Sequence, residues 1–492
     1  MSVLAVDIGA SSGRVMQVSL QNGKLCLAER HRFDNTPVAV NGTLYWDVLC
    51  LFSELKKGLA QADNPAGVTS VGIDTWGVDF GLLDGDGRLM ENPVHYRDTR
   101  TKDSLEHILH HATREEIYRV TGIQFMPTNT LYQMTALAQK RPRMLTEAAC
   151  ALLIPDLLAY FLTGQKHTEL TNASTTQMLR VNGEGWYTGL LERLTIPTEL
   201  FPPIIYPGEV YGALLPEVAA ETRLPAIPVV AVPTHDTASA VVSAPAEGTD
   251  FAFLSCGTWS LLGTETPQPY STPEACTANF TNEIGYGHTT RLLKNIMGLW
   301  ILQESRRQWQ REGTPYTFAE LERLARETPA FRSFIDPDAP DFVQPGDMPE
   351  RIRAYCRRTG QPVPASVGEV VRCIYESLAL KCGRVFRQLS AITGKHSPIL
   401  HLVGGGAKDP LLAQMLADAC GCAVDSGPVE ATALGNAAIQ LIAAGELKDV
   451  ADARHMIRES FPITRFLPRE ANLWEQAARR FEKLLNEYPS EQ

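Results

Sequence analysis

The sequence lacks the signatures of several protein classes. None of its ten cysteines forms a C-x-x-C pair, and their spacing is irregular, so neither a disulfide framework nor a structural zinc site is expected. No apolar run reaches the roughly 18–20 residues that span a bilayer. The opening residues carry no basic segment of the kind that begins a secretory signal. Together these absences predict a cytoplasmic protein with reduced thiols.

Positive charge is also in short supply. The 45 Lys and Arg residues against 56 Asp and Glu residues give a formal net charge of −11. Nucleic acids and anionic membrane surfaces attract basic proteins, so neither partner is expected here. The hydrophobic share of 44% and the charged share of 21% are typical of a globular protein. At 492 residues, two large domains are predicted.

Two common nucleotide-binding motifs are missing as well. No glycine-rich turn is followed by Gly-Lys-Ser/Thr, which excludes a P-loop. A G-x-G-x-x-G fingerprint between a strand and a helix is absent too, and this argues against a dinucleotide-dependent dehydrogenase.

What the chain does contain is a strand–turn–strand pattern that occurs twice. Apolar runs at Val3–Ile8 and Arg14–Leu20 flank Gly9-Ala10-Ser11-Ser12-Gly13, and residues 251–263 repeat the pattern. The turn-forming segment 243–250 is the best candidate domain boundary. The echo predicts two related halves, and strands alternating with helices predict an α/β sheet in each.

Other segments have readable patterns. Strands are predicted at Ser70–Asp74 and Ile399–Val403, and an amphipathic helix is predicted after Gly404–Gly406. Helices are predicted between about Arg114 and Ala149, a surface loop at 336–350, and a charged helical tail over the last ~40 residues.

The turn after the first strand has the composition of a phosphate site. Glycines let the backbone approach a phosphate, while Ser11, Ser12 and main-chain N–H groups can donate to its oxygens. Asp7 stands where a carboxylate can hold a Mg²⁺-bound water. The alternative is an ordinary β-hairpin in which Asp7 caps the turn. Gly257-Thr258-Trp259-Ser260 offers the same chemistry, with the same alternative.

A third glycine-rich turn, Gly404-Gly405-Gly406-Ala407, lies between a predicted strand and a predicted helix. Without side chains, a flat base or ribose can rest against such a backbone near a helix N-terminus. A simple tight turn is the alternative.

Asp236 is the candidate general base. It follows the apolar run Ile227–Val232 and opens a small-residue helical stretch. In phosphoryl transfer a carboxylate takes the proton of the attacking alcohol and orients its oxygen. Asp236 can equally cap a helix starting at Thr237. His235 is interpreted as a substrate hydrogen-bond donor or a packed core histidine.

Further polar residues are suited to a sugar, or to packing and ion pairs. Asp74, Trp76, Gly77 and Asp79 follow a buried-looking strand. Arg97, Asp98 and Arg100 are candidates for charges in the substrate cleft, or for a solvated ion-pair cluster. Asn295 is a candidate to reach the same cleft from the second half of the chain.

Taken together, these segments resemble the FGGY family of carbohydrate kinases, within it most closely the enzymes that act on L-rhamnulose. The similarity runs in order along nearly the whole chain. It is carried by residues 6–14, 72–80, 122–125, 235–239, 257–260, 295–300, 404–406 and 430–436.

The resemblance implies a two-domain α/β architecture. This is the actin/hexokinase/Hsp70-like ATPase fold, with ribonuclease H-like cores and a cleft between the domains. The expected division is an N-terminal sugar-binding domain with the first phosphate turn over 1–244, a C-terminal nucleotide-binding domain over 245–455, and a helical tail over 456–492. We expect a monomer or weak homo-oligomer.

The resemblance also implies a reaction and a set of site residues. ATP would phosphorylate O1 of L-rhamnulose, giving L-rhamnulose 1-phosphate and ADP, with Asp236 as proton acceptor and Mg²⁺ near Asp7 and Asp236. The implied sugar contacts are Gly77, His235, Asp236, Thr237 and Asn295. The implied nucleotide contacts are Ala10, Ser11, Ser12, Gly13, Arg14, Thr258, Gln303 and Gly405.

Two rival functions, one departure and one matching cysteine pair accompany the resemblance. A sister kinase for fuculose, xylulose, ribulose or glycerol would keep every nucleotide motif, and a non-catalytic actin-like ATP-binding protein would not need Asp236. Cys256 stands where the family usually has serine. Cys356 and Cys373 match positions that form a disulfide in the family, a bond that a reducing cytosol disfavours.

Overall fold

The computed structural model describes residues 1–489. The last three residues of the predicted C-terminal tail, 490–492, lie outside the described residues. No helix within 1–489 combines the length and the apolar character needed to cross a membrane.

The described chain contains strands and helices throughout. The strands are β1 (Ser2–Ile8), β2 (Ser12–Gln21), β3 (Lys24–Asp34), β4 (Val38–Val40), β5 (Thr43–Tyr45), β6 (Val68–Thr75), β7 (Phe80–Leu83), β8 (Cys150–Leu153), β9 (Thr168–Glu169), β10 (Ile204–Ile205), β11 (Val210–Ala213), β12 (Pro228–Val230), β13 (Ala252–Cys256), β14 (Trp259–Thr266), β15 (Thr281–Ile284), β16 (Thr290–Met297), β17 (Ile399–Val403), β18 (Ala423–Ser426) and β19 (Thr464–Phe466).

The α-helices are α1 (Val48–Leu59), α2 (Ser104–Leu109), α3 (Arg114–Thr121), α4 (Thr130–Lys140), α5 (Pro142–Glu147), α6 (Ile154–Thr163), α7 (Leu170–Ala173), α8 (Thr188–Arg193), α9 (Pro216–Thr222), α10 (Asp236–Val242), α11 (Pro273–Thr277), α12 (Trp300–Arg311), α13 (Phe318–Arg326), α14 (Met348–Arg358), α15 (Val367–Thr393), α16 (Pro410–Cys420), α17 (Ala431–Ala443), α18 (Val450–Ser460) and α19 (Ala471–Glu487). Short 3-10 helices lie at Pro65–Gly67, Thr99–Thr101, Ser174–Thr176, Thr198–Leu200, Tyr286–His288, Pro340–Phe342 and Gly405–Lys408.

The chain divides into two compact units, and neither is one continuous stretch. The first unit comprises Met1–Pro245, Glu265–Leu292 and Ala431–Phe461. The second comprises Ala246–Thr264, Leu293–Glu430 and Pro462–Gln492.

The first unit is built on a six-stranded sheet with the order β11-β12-β6-β1-β2-β3. Strand β1 pairs antiparallel with β2 and parallel with β6, and β12 runs parallel to β6. Every residue of β1 is buried, which is typical of a central strand covered on both faces. The carboxyl ends of β1, β6 and β12 therefore point the same way.

Helix α17 covers this central part of the sheet and packs against α10. The two helices approach closely at Gly435, where an added Cβ would lie only 1.7 Å from the carbonyl oxygen of Ser239. Glycine is required at this position because the obstacle is main chain, which cannot move aside as a side chain can. The contact fixes α10, the helix that begins at Asp236.

The second unit repeats the arrangement of strands. Strand β13 pairs antiparallel with β14 and parallel with β17, and β17 in turn runs parallel to β18. The sheet continues from β14 to β16 on one side and from β18 to β19 on the other. The predicted strand–turn–strand echo is confirmed at the level of pairing.

Several predicted segments are confirmed with small shifts in their ends. The hairpins at β1–β2 and β13–β14 form, the helices between Arg114 and Ala149 are α3, α4 and α5, and the amphipathic helix is α16. The apolar run before Asp236 yields the short strand β12, and His235 adds an isolated parallel bridge to Thr75.

Two segments differ from expectation. The prediction of a surface loop over 336–350 is wrong in part, because Asp336 and Phe342 are buried and Asp336 Oδ1 lies 2.8 Å from Nζ of the buried Lys381. The predicted helical tail includes α19, but β19 also pairs antiparallel with β18. Neither long-range partner is visible in the local sequence.

The cysteine pair that the resemblance implies is close in space. Cys356 on α14 and Cys373 on α15 are buried and both are free thiols. A hydrogen bond with the Cys356 side chain and, second, burial raise the pKa of the Cys373 thiol well above its ordinary value.

Candidate active site

The turn after β1 is a closed backbone loop. Gly9 N–H donates to Ser12 O at 2.9 Å, and Asn35 Nδ2 donates to Gly9 O at 2.9 Å. Ala10, Ser11 and Ser12 are half-buried. Asn35 therefore supports the predicted phosphate turn from outside it, a role that its position in the sequence does not reveal.

Glycine at position 13 allows the start of β2 to pack tightly. A Cβ at Gly13 would lie 2.2 Å from the ring of Phe33. The next residue, Arg14, directs Nη2 to Asp7 Oδ2 at 2.6 Å. The cationic end of Arg14 thus lies beside the carboxylate predicted to be near the metal.

Three carboxylates share one region of the first unit. Asp7 and Asp74 are register partners on the parallel strands β1 and β6. Asp74 is fully buried; Asn436 Nδ2 donates to its Oδ2 at 2.6 Å, while its Oδ1 has no hydrogen-bond partner. The pKa of Asp74 is raised well above its ordinary value, mainly by burial and then by the nearby charges of Asp7 and Asp236.

This arrangement fits a cation that is held mainly by other ligands. Within residues 1–489 no group of three or more His, Cys, Asp or Glu side chains is placed to hold a metal ion by itself. Mg²⁺ usually binds one or two carboxylates together with water and substrate phosphates. A buried carboxylate oxygen without a partner, beside the carboxylate of Asp7, suits that mode of binding.

Asp236 is the first residue of α10 and is partly open to solvent. Its side chain is 32% exposed, and its Oδ1 accepts from Thr237 N at 2.6 Å and from Thr237 Oγ1 at 3.2 Å. The helix begins one residue earlier than predicted, within the usual uncertainty of helix ends. The orientation of this carboxylate thus depends on the backbone of α10.

His235 is held by a buried ion pair. Its Nδ1 lies 3.2 Å from Glu283 Oε2, and the same oxygen lies 3.2 Å from Nη1 of the fully buried Arg291. On the other side of the ring, Nε2 lies 3.5 Å from Asp236 Oδ1. Burial lowers the pKa of Arg291, and the charge of Glu283 opposes this. The pair fixes the imidazole with one edge toward Asp236.

Gly77 lies beside His235. A Cβ added at Gly77 would be 3.1 Å from Thr175 Oγ1 and 3.4 Å from the His235 ring. The following residue, Val78, has a φ of +70°, which is a strained conformation for a β-branched side chain. Thr130 Oγ1 donates to Val78 O at 2.7 Å. The turn is therefore held in its strained form by side-chain hydrogen bonds.

Asp79 anchors the same turn from below. It is buried, and its carboxylate accepts from Trp46 Nε1 at 2.5 Å, from Trp76 Nε1 at 3.0 Å and from Gln133 Nε2 at 2.8 Å. Burial raises the pKa of Asp79 from 3.8 to about 6, and these hydrogen bonds oppose the rise. Asp79 and Trp76 thus hold the turn together from beneath it. Arg100 Nη2 joins the network through Gln133 Oε1 at 2.6 Å.

In the second unit, Thr258 and Gln303 are neighbours. Thr258 lies in the turn between β13 and β14, and its Oγ1 lies 3.4 Å from Gln303 Oε1 on α12. Gly257 O accepts from Leu299 N at 2.9 Å, and Thr258 O accepts from Trp300 N at 3.2 Å. The start of α12 is thereby attached to the turn.

The glycine-rich turn after β17 packs on Cys256. A Cβ at Gly406 would lie 2.5 Å from Cys256 Sγ, whereas a Cβ at Gly405 would meet nothing closer than 4.0 Å. Gly405 is exposed and Gly406 is buried. Burial raises the pKa of the Cys256 thiol to about 11, so this thiol is neutral near pH 7 and acts as a packing group where serine was expected.

Asn295 lies on β16 and is half-buried. The end of this strand is tied down because Met297 N donates to Asp338 Oδ1 at 2.8 Å. Asp338 Oδ2 in turn lies 2.9 Å from Lys381 Nζ.

The predicted site residues thus fall into two groups. The first unit contains Asp7, Ala10, Ser11, Ser12, Gly13, Arg14, Gly77, His235, Asp236 and Thr237, and the second contains Thr258, Asn295, Gln303 and Gly405. Sequence reasoning missed Glu169, Glu283, Arg291 and Asn436. Asn436 lies within the matched segment 430–436 but was given no role, and no local motif marks Glu169, Glu283 or Arg291.

Most of the chain matches known protein families. The family models for the N-terminal and C-terminal domains of the FGGY family of carbohydrate kinases match residues 2–243 and 252–444. A rhamnulokinase from Bacteroides thetaiotaomicron is 43% identical over 474 residues, which cover 96% of this chain and 97% of that protein. A rhamnulokinase from Enterococcus faecalis is 44% identical over 464 residues, covering 93% and 92%.

The fold is shared with a solved kinase structure. A ligand-bound xylulose kinase from Lactobacillus acidophilus superimposes with a TM-score of 0.82 over 99% of this chain and 98% of that one, at 18% identity. The predicted actin/hexokinase/Hsp70-like fold is confirmed. With both family models covering most of its length, the chain belongs to the FGGY family of carbohydrate kinases.

Proposed function

We propose that this carbohydrate kinase transfers the γ-phosphoryl group of ATP to O1 of L-rhamnulose, giving L-rhamnulose 1-phosphate and ADP in L-rhamnose degradation. The observation that carries the proposal is the 43–44% identity to two rhamnulokinases over nearly the whole of each chain. The aligned residues cover 96% and 93% of this chain, whereas a sister kinase for another ketose or glycerol is expected to differ around Trp76–Phe80, Gln124 and Asn295.

Asp236 is the proposed general base. Its partly exposed carboxylate accepts hydrogen bonds from Thr237 N and Thr237 Oγ1. The same carboxylate lies beside His235, with 3.5 Å between Oδ1 and Nε2. The O1 hydroxyl gives its proton to an Asp236 carboxylate oxygen as O1 forms the bond to the γ-phosphorus. The bond from that phosphorus to the β,γ-bridging oxygen breaks, and ADP leaves with that electron pair.

His235 and its neighbours are the proposed sugar contacts. The Glu283–Arg291 pair fixes the imidazole of His235, so the ring can hold a sugar hydroxyl without reorganising. Gly77 leaves space beside that ring. Thr237 and Asn295 complete the proposed set.

The nucleotide contacts proposed are the backbone and hydroxyls of Ala10 to Arg14, together with Thr258, Gln303 and Gly405. Asp7 and Asp236 are the proposed protein carboxylates near Mg²⁺, with the orphaned oxygen of Asp74 beside them. Mg²⁺ would neutralise charge on the phosphate oxygens.

We further propose that the three segments predicted from the sequence have different roles. Residues 1–244 would bind the sugar and supply the first phosphate turn, 245–455 would bind the nucleotide, and 456–492 would form a C-terminal helical tail. A cytoplasmic monomer or weak homo-oligomer that binds neither nucleic acid nor membrane is the proposed working form.

The experiment is ADP release with ATP and Mg²⁺ against a panel of ketoses and polyols. The panel contains L-rhamnulose, L-fuculose, D-xylulose, L-ribulose and glycerol, with reactions lacking Mg²⁺ as controls. A kcat/KM for L-rhamnulose at least about tenfold above every other acceptor supports the proposal, since one well-used hydroxyl contact gives that much discrimination. Preference for another acceptor contradicts the substrate, and ATP binding without turnover of any acceptor contradicts the reaction.

A further inference from the structure

One buried carboxylate outside the predicted site is bound by an unusual number of donors. Glu169, the last residue of β9, is fully buried. Its Oε1 accepts from Thr171 N at 2.8 Å. Its Oε2 accepts from Thr171 Oγ1 at 2.7 Å and from Asn172 N at 3.1 Å.

The remaining two donors both belong to Thr234. Its main-chain N–H donates to Glu169 Oε2 at 3.1 Å and its Oγ1 donates to the same oxygen at 2.6 Å. Capping the four-residue helix α7 requires only the donors at Thr171 and Asn172. The two bonds from Thr234 therefore serve something other than the helix.

Thr234 immediately precedes His235 and Asp236. Its carbonyl oxygen accepts from Thr75 N at 2.9 Å at the end of β6, so the residue is held on two sides. His235 N donates to Thr171 Oγ1 at 3.4 Å, and that hydroxyl is itself bound to Glu169. Both peptide units leading to Asp236 are thus connected to the Glu169 carboxylate.

The same carboxylate reaches the turn at Gly77. Glu169 is the N-cap of helix α7. In this helix Asn172 O accepts a hydrogen bond from Thr175 Oγ1 at 2.8 Å. That hydroxyl oxygen is the atom nearest to a Cβ at Gly77. One carboxylate therefore supports two of the segments that contain proposed sugar contacts, the turn at Gly77 and residues 235–237.

The chemistry favours a charged, accepting group at this point. Three of the five donors are main-chain N–H groups, which can only donate. Burial raises the pKa of Glu169, and the bonds from Thr234 and Thr171 oppose the rise. An amide in its place would turn an NH₂ group toward main-chain donors and push them away.

We propose that Glu169 is a positioning residue of the phosphoryl-transfer site, which sets the location of His235 and Asp236 through its hydrogen bonds with Thr234 and Thr171. The inference rests on the proposed function, in which Asp236 is the base. Reacting groups must lie within a fraction of an ångström of their productive positions. A small displacement of Thr234 moves His235 and Asp236 with it and therefore lowers the reaction rate.

The test is Glu169→Gln in the full-length enzyme. We expect kcat to fall by about tenfold to a hundredfold, the cost of a displacement near 1 Å, with the KM for ATP almost unchanged. The matched control is Asp156→Asn. Asp156 is an equally buried carboxylate that accepts from Glu169 N at 3.0 Å and Tyr211 OH at 2.6 Å without contacting Thr234. Its substitution should leave kcat within about twofold of wild type.

A second pair of variants protects the test against misfolding of Glu169→Gln. Thr234→Val removes one donor to Glu169, and Thr234→Ser keeps it. We expect Thr234→Val to lower kcat and Thr234→Ser to restore it. If Glu169 acts through Thr234, the double variant Glu169→Gln/Thr234→Val loses less than the product of the two single losses.

The outcomes separate the two proposals. A folded Glu169→Gln enzyme with wild-type kcat, equal losses in Asp156→Asn, or strictly multiplicative losses in the double variant overturns the positioning role. If the wild-type enzyme phosphorylates a sugar other than L-rhamnulose, the substrate proposal fails, and the same ratios measured with that sugar still decide the role of Glu169. A wild-type protein without any kinase activity overturns both.

Discussion

Asn436 on α17 donates a hydrogen bond to the buried carboxylate of Asp74 on β6, with 2.6 Å between Nδ2 and Oδ2. Gln440, one turn further along α17, donates to Asn436 Oδ1 at 2.7 Å, which fixes the amide with its NH₂ group toward Asp74. A helix from late in the chain thereby provides a hydrogen bond to a buried carboxyl group on a strand from early in the chain.

Removal of this amide should destabilise the protein. Asn436→Ala leaves the Asp74 carboxylate without its donor, and we expect a loss of about 1–3 kcal/mol of unfolding free energy, the cost of an unsatisfied buried group. Urea unfolding measures it. In Asp74→Asn, where the carboxyl group is replaced by an amide, the same Asn436→Ala change should cost less; equal costs in both backgrounds would contradict the pairing.

Asp236→Asn should retain the fold and lose turnover. The amide cannot accept the O1 proton, so kcat is expected to fall by roughly 10²–10⁴-fold, the contribution of a positioned general base. ADP release with the preferred sugar measures the loss, and unfolding temperature and ATP binding serve as controls. Turnover close to wild type in the folded variant would remove Asp236 from the base role.

Asp79 should make stability depend on pH between about 4 and 6. Its folded pKa is raised from 3.8 to about 6, so in this window the folded state binds more protons than the unfolded state and stability falls as pH rises. The full effect is on the order of 3 kcal/mol. We expect the difference in unfolding free energy between wild type and Asp79→Asn to shift by that order from pH 4 to pH 7. A difference that stays constant over this range would show that Asp79 titrates normally.

Val78→Gly should stabilise the fold while weakening sugar binding. Glycine accepts the φ of +70° without strain, and relief of about 1–3 kcal/mol is offset in part by the entropy of the added glycine. A looser turn holds Gly77 less firmly, so the KM for sugar should rise. Asn22→Gly is the matched control, because Asn22 also has a positive φ, of 51°, in an exposed hairpin turn. The Asn22→Gly variant should leave the KM for sugar unchanged. An equal rise in that KM would contradict the role given to the turn at Val78.

The two neighbouring glycines of the turn after β17 should respond differently to alanine. Gly406→Ala places a Cβ against Cys256 Sγ, and we expect overpacking to cost about 1–3 kcal/mol. Gly405→Ala meets no such obstacle, so stability should hold while ATP binds more weakly, because the methyl group covers exposed backbone. Thermal unfolding and ATP titration measure the two effects. Identical behaviour of the variants would refute this division.

Local patterns were enough to predict the parts of this fold that are made of neighbouring residues. The hairpin around Gly9–Gly13 follows from glycine and serine between two apolar runs, and the repeat at 251–263 follows from the same signal. The turn containing Gly405 lies between a run of apolar residues and an amphipathic helix. In each case the pattern that predicts the element lies within a few residues of it, although Asn35 and Cys256, which contact two of these turns, are distant in the sequence.

Contacts between distant segments could not be predicted in this way. His235 takes its orientation from Glu283 and Arg291, and Thr234 takes its place from Glu169. In a single sequence, nothing distinguishes these buried charged residues from charged residues that are exposed to solvent. Glu169, Glu283 and Arg291 lie on β9, β15 and β16, and only the folded chain brings these strands to the residues that follow β12. Hydrophobic periodicity does not encode which charged side chain each strand end will meet.

The discontinuous first unit has a consequence for the order of events during synthesis. Helix α17 supplies both the Gly435 contact with Ser239 and the Asn436 bond to Asp74. When only residues 1–245 have emerged from the ribosome, the central face of the first-unit sheet is therefore not yet covered by α17. That nascent segment should stay protease-sensitive and in need of chaperones until residues 431–461 emerge, so the part of the molecule translated first is expected to reach its native packing late.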